Sequence, residues 1–160
     1  MRLNVLAISH LSVTDGSASI CHDSVVSTTD DPRRSIIAVV DDDQRILGSL
    51  EILLESAGYA VRLFCSATAL LESGGIRELD CLISDVGMPV MDGFELVRAI
   101  ETARPGLPII LITGRPDLLN RSPPDWPHHF RLFKKPFDGQ ELLMAVGDAL
   151  RSPHCRAPRL

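Results

Sequence analysis

Continuous apolar runs and helically spaced apolar positions alternate along the middle of the chain. Ile36-Ile37-Ala38-Val39-Val40 is an unbroken apolar run, as a strand covered on both faces requires. Over Gln44 to Ala57, residues Ile46, Leu47, Leu50, Leu53, Leu54 and Ala57 recur at helical spacing, and Gly58 ends the segment. Tyr59 to Phe64 suits a second strand. Ala67 to Ser73 suits a short helix closed by Gly74-Gly75. Asp80 to Ser84 predicts a third strand. Phe94, Leu96, Val97 and Ile100 predict a helix over Phe94 to Thr102, stopped before Pro105. Pro108 to Ile112 predicts a fourth strand and Arg131 to Lys134 a short fifth. Glu141 to Leu150 predicts the closing helix, with Asp138 as its N-cap. Such alternation implies an α/β fold: a doubly wound, five-stranded parallel sheet with helices on both faces.

Gly114 to His129 departs from the pattern. A helix is due there, but Pro116, Pro123, Pro124 and Pro127 stand in it. Each proline inside a helix costs about 3 kcal/mol, so at most one short turn is expected, around Asp117 to Arg121. The ends of the chain also differ from the middle. Residues 1–34 are rich in Ser, Thr and Asp without a sustained period, and they read as a disordered extension. Residues 35–151 read as the folded domain and 152–160 as a basic tail.

Composition narrows the class. The 160 residues suit one domain, and 45% apolar with 23% charged residues is ordinary for a globular protein. A formal charge of −5 argues against broad nucleic-acid binding. No apolar stretch approaches the roughly 18 residues of a membrane span, and the first residues make no convincing signal peptide. Cys21, Cys65, Cys81 and Cys155 show no C-x-x-C pairing, so they read as free thiols of a cytoplasmic protein. The five histidines show no ligand spacing.

The predicted strands end in polar groups of four kinds. Val40 leads into Asp41-Asp42-Asp43, the third strand into Asp85, the fourth into Thr113, and the fifth into Lys134-Lys135-Pro136-Phe137. In an open parallel sheet the ligand crevice lies outside the carboxyl ends of the strands, so these groups converge. Together they suit phosphoryl transfer to a carboxylate. A carboxylate and a phosphoryl donor repel, and a divalent cation relieves this by bridging them. Hard oxygen ligands select Mg²⁺, and Asp41, Asp42 and Asp85 supply them. Lys135 suits one phosphoryl oxygen as a point charge, and the Thr113 hydroxyl another. Each residue alone has a plainer reading: a solvated acidic loop, a turn residue or a surface charge. The joint arrangement favours the site.

At this point the residues resemble a known family. The segments V-V-D-D-D at 39–43, S-D-V-G-M-P-V-M-D-G at 84–93, L-I-T-G at 111–114 and K-K-P-F at 134–137 are similar to the receiver domain of two-component response regulators. The wording looks most like the nitrogen-fixation-regulator subgroup. The resemblance covers roughly Ile36 to Arg151. It implies strand order 2-1-3-4-5 and a phosphoryl group taken by Asp85 from a sensor histidine kinase or phosphotransfer protein. It implies that Asp42 and Asp85 bind Mg²⁺, that Asp41 supports the metal, and that the Gly87 carbonyl is a further ligand. It also implies that Thr113 and Lys135 contact the phosphoryl group and report it to the surface. The domain would then catalyse only its own phosphorylation and dephosphorylation.

Three features depart from the family. Leu132 stands where relatives carry an aromatic residue that takes part in the switch; Phe133 and Phe130 are the nearby rings able to replace it. The fourth helix is broken by prolines. Ten residues after the last helix are too few for a DNA-binding unit, so the expected action is without an output domain of its own, by contact with an unknown downstream protein and without direct DNA or membrane binding. Two other readings stay open: a pseudo-receiver that never takes phosphate, and a phosphatase of the haloacid-dehalogenase type using Asp41-x-Asp43. The second lacks the acidic pair those enzymes place after the lysine.

Overall fold

The computed structural model describes residues 34–115, 117 and 130–151. The elements run β1 (Ile36–Val40), α1 (Gln44–Ser56), β2 (Ala60–Phe64), α2 (Ala67–Glu72), a 3₁₀ turn (Ile76–Glu78), β3 (Cys81–Asp85), α3 (Gly93–Ala103), β4 (Ile109–Thr113), β5 (Phe130–Lys134) and α4 (Gly139–Arg151). All five strands are parallel, in the order β2-β1-β3-β4-β5. The expected order is therefore the observed one. The expectations for 1–33, for 116 and 118–129, and for 152–160 lie outside the described residues.

Alternation along the strands divides the core in two. Ala38, Val40, Leu82, Ile109 and Leu111 face α2 and α3, meeting Leu70, Leu96, Val97 and Ile100. Ile37, Val39, Ile83, Ile110 and Ile112 face α1 and α4, meeting Leu47, Leu50, Leu54, Leu142 and Val146. The three central strands are buried on both faces, which is why their sequences read as unbroken apolar runs. β2 and β5 are sheet edges and only half buried.

Local chemistry sets the helix ends. The Asp43 carboxylate accepts the Arg45 N–H at 2.9 Å and caps α1. Gly58, at φ +90°, turns the chain out of α1 in the left-handed conformation that glycine adopts without a Cβ clash. Asp92 and Glu95 form a reciprocal capping box on α3. Asp138 Oδ1 accepts from the Gln140 and Glu141 N–H groups, the cap expected for α4.

Several boundaries differ from expectation by a residue or two. The largest consequence is that Asp85 and Thr113 are the last residues of their strands rather than the first loop residues. Asp85 pairs with Ile112, and Thr113 with Lys134, in the ladder. The ladder bonds backbone to backbone, so a polar side chain does not end it.

Candidate functional site

Three of the sequence-predicted residues meet directly at the carboxyl ends of β1, β3 and β5. The Lys135 ammonium donates to Asp85 Oδ1 at 2.7 Å and to Asp41 Oδ2 at 3.0 Å. Asp41 is 3% exposed and Asp85 8%. Backbone donors complete both carboxylates: the Asp43 N–H reaches Asp41 Oδ1 at 2.8 Å, and the Gly87 N–H reaches Asp85 Oδ2 at 2.5 Å. A continuous polar chain thus runs from the start of α1 through Asp41, Lys135 and Asp85 to the β3–α3 loop. Lys135 is held in register by its own N–H, which donates to the Thr113 carbonyl at 2.7 Å.

The loop after Asp85 folds back on the strand. The Gly93 N–H donates to the Val86 carbonyl at 3.1 Å. A Cβ on Gly93 would stand 2.6 Å from the Asp85 carbonyl oxygen, so only glycine lets α3 start this close to the site. Arg115 rims the other side. Its Cδ lies 4.0 Å from where a Cβ on Gly87 would sit, and its guanidinium pairs with Asp117 at 3.3 Å.

Thr113 is buried, and its hydroxyl is engaged locally. It accepts from the Arg115 N–H at 3.0 Å and donates to the Arg115 carbonyl at 3.3 Å. Asp42, by contrast, is exposed. Among the described residues no three His, Cys, Asp or Glu side chains gather closely enough to hold a metal ion. Asp41 and Asp85 nevertheless fit a cation in one respect: both turn an oxygen to the same positive charge, here the Lys135 ammonium. Two carboxylates with water in the remaining positions is a donor set that Mg²⁺ accepts.

Burial pushes the Asp41 carboxyl above its usual range, against the pull of the Asp43 N–H and the Lys135 ammonium; the nearby Asp85 charge adds to the rise. An ion pair alone would lower it, but Asp41 is far more deeply buried than Lys135, so burial prevails. Burial draws the Lys135 ammonium down, and its bonds to Asp85 and Asp41 more than offset this, so it stays charged to higher pH than usual. Outside the pocket, the Arg45 side chain holds the Asp43 carboxyl at about 2.

These directions give a stability prediction. A raised carboxyl means that the folded state binds the proton more tightly than the unfolded chain. Stability in Mg²⁺-free buffer therefore falls as pH rises from about 4 through the raised value. Asp41→Asn should match the wild type in Tm near pH 4 and exceed it at pH 7. An equal Tm difference at both pH values would contradict the burial argument.

Two aromatic expectations separate on inspection. Phe130 and Leu132 pack toward α2 and α3, the side on which alternation places Thr113. Phe133 packs on the opposite face, edge-on to Phe137 at 6.4 Å. Phe133 therefore cannot replace the missing aromatic, whereas Phe130 shares the right face.

An open five-stranded parallel sheet in the order β2-β1-β3-β4-β5, with an acid–lysine–acid cluster at the carboxyl ends of its strands, has the architecture of a signal receiver domain. Residues 37–147 match the response regulator receiver domain family, and the chain belongs to it. It is 37% identical over 119 residues to the response regulator protein TmoT of Ectopseudomonas mendocina, covering 74% of this chain and 54% of that protein. It is 34% identical over 115 residues to the transcriptional regulatory protein FixJ of Bradyrhizobium diazoefficiens, covering 72% and 56%. The signal receiver domain of an HD domain-containing protein from Pseudomonas fluorescens Pf-5 superposes with a TM-score of 0.67 at 37% identity, over 74% of this chain and 95% of that one. The chain spans a little over half the length of the curated relatives named here. Family membership sets aside the phosphatase alternative. No described helix is long and apolar enough to cross a membrane.

Proposed function

We propose that Asp85 accepts a phosphoryl group from a phosphohistidine on a sensor kinase or phosphotransfer protein, and that the phosphorylated domain acts by contact with a downstream protein. The observation that carries this reading is the convergence of Asp41, Asp85 and Lys135 on one point at the strand ends. In the transfer, an Asp85 carboxylate oxygen forms a bond to phosphorus as the donor's N–P bond breaks, and the proton balance falls on the departing imidazole. Lys135 is already within reach of the phosphoryl oxygens that will surround Asp85. Thr113 exchanges its bond to the Arg115 carbonyl for one to the phosphoryl group. Mg²⁺, held by Asp42 and Asp85 with Asp41 in support and the Gly87 carbonyl as a further ligand, would neutralise charge between the two anions. The formal charge of −5 supports a protein partner rather than nucleic acid.

Incubation with acetyl phosphate tests this directly. Label should appear with Mg²⁺ and vanish with EDTA; label that ignores EDTA, or none at all, would count against the reading. Asp42→Ala should weaken Mg²⁺ binding while changing metal-free stability by less than about 0.5 kcal/mol, because Asp42 is exposed. A clear loss of stability without Mg²⁺ would give Asp42 a structural role instead.

The phosphorylated state should also be long-lived. Hydrolysis needs a water in line with phosphorus, and placement contributes strongly to such a rate. Gly87 offers no side chain to hold that water, and Arg115 passes beside Gly87 at the rim. Replacing Gly87 by Asn and Arg115 by Glu together should shorten the lifetime, measured as phosphate release after the donor is removed. An unchanged lifetime would assign the control to another group.

A further inference from the structure

Val90, at the tip of the β3–α3 loop, is used by nothing inside the fold. Its side chain is 99% exposed. It is the one non-glycine residue with positive φ among the described residues, at 69°. The Met91 N–H donates to the Pro89 carbonyl at 2.8 Å, so Val90 is the centre of a γ-turn of the rare, strained hand. A β-branched residue suits that conformation badly, whereas Gly or Asn adopts positive φ readily. The free protein therefore bears both a strained backbone and a solvated apolar side chain at one position. Strain of this kind concentrates at ligand clamps and binding loops.

The loop's attachment fixes where Val90 stands. Both its ends are pinned beside Asp85: the Gly93 N–H bonds to the Val86 carbonyl, and Gly93 abuts the Asp85 carbonyl oxygen. Val90 is three residues from Gly93 in the chain, so their Cα atoms are within about 11 Å. A protein covering about 800 Å² on its partner reaches roughly 16 Å from the centre of its footprint. Val90 thus stands within or at the rim of the footprint of a protein seated over Asp85 to deliver a phosphoryl group. A small phosphodonor entering the same pocket does not reach it.

We propose that Val90 is an apolar anchor for the protein that phosphorylates Asp85, a contact that small phosphodonors never make. This rests on Asp85 being the phosphoacceptor. Desolvating Val90 in the complex gives the apolar side chain a use that the free domain does not provide.

Val90→Gly and Val90→Asn are compared with the wild type in three measurements. Both variants should raise the Tm of the free protein by about 2–4 °C, since both relieve the turn. Both should take label from acetyl phosphate at the wild-type rate. Transfer from a purified histidine-phosphorylated sensor-kinase core that labels the wild type should fall roughly tenfold. A lower Tm in both variants would show that the side chain supports the fold and would overturn the proposal. So would unchanged transfer from the kinase core, or an equal slowing with both donors. A wild-type protein that acetyl phosphate cannot label would instead overturn the phosphoacceptor reading, and the Tm comparison would still decide whether Val90 is strained.

Discussion

Asp85→Asn should abolish phosphoryl incorporation from acetyl phosphate and from a protein donor alike, with the fold intact. The amide keeps the size and planarity of the carboxylate, and its oxygen can still accept the Gly87 N–H that Asp85 Oδ2 accepts now. What it loses is the anionic oxygen that attacks phosphorus. The partner of Asp85 on Lys135 is poorly placed to substitute. Asp41 is more deeply buried than Asp85, and its oxygens are taken by the Asp43 N–H and Lys135. Lys135 keeps its bond to Asp41 in the variant, so the fold should be retained while labelling is lost. Residual labelling of the variant near the wild-type level would place the acceptor elsewhere.

Lys135→Met should have the largest effect on stability. The ammonium is the only described side-chain cation on either Asp41 or Asp85, and both carboxylates are nearly buried. Removing one partner of a fully buried pair costs roughly 3–5 kcal/mol; Lys135 is a quarter exposed, so about 2 kcal/mol is the reasonable expectation. Urea denaturation in Mg²⁺-free buffer reads this. Two further outcomes separate lost charge from lost packing. Mg²⁺ should stabilise the variant more than the wild type, because in the wild type the ammonium already occupies the point where Asp41 and Asp85 converge. The pH dependence has a defined sign. Burial lowers the Lys135 ammonium and its two carboxylate bonds raise it further, so its folded value lies above the usual 10.5. The stabilisation is therefore full below about pH 10.5 and is lost as pH rises through the folded value. The gap between wild type and variant should stay open at neutral pH and close in strong alkali. A gap independent of both Mg²⁺ and pH would mean that the methylene stem, not the charge, is what the fold uses.

Much of this was legible in the sequence because the three central strands are buried on both faces. Burial on both sides forces Ile36 to Val40, Cys81 to Ile83 and Ile109 to Ile112 to be apolar throughout, and a run of that kind is hard to misread. The polar groups at the ends of those runs were legible for the same reason: Asp85 is the first charge after its run, and Thr113 the first polar residue after its own. Their membership of the strands was not, since the ladder continues through backbone atoms whatever the side chain. The capping box of Asp92 and Glu95 was a readable signal that spacing alone would have given. So was the separation of Phe130 from Phe133, which follows from alternation along β5. The Thr113 hydroxyl's tie to Arg115 had no sequence signal, because a threonine before glycine reads equally as pocket or turn. Val90 was the least legible residue. A β-branched side chain argues for extended backbone, and here the loop's attachment at Val86 and Gly93 overrides that preference.

The account turns on which atom receives the phosphoryl group. The direct test is to incubate the wild-type protein with acetyl phosphate and Mg²⁺, trap the acyl phosphate by borohydride reduction, and locate the reduced residue by peptide mass spectrometry. The account predicts a single reduced position, Asp85, absent when EDTA replaces Mg²⁺. Reduction at Asp41 or another carboxylate in equal yield, or a protein recovered wholly unmodified, would contradict it.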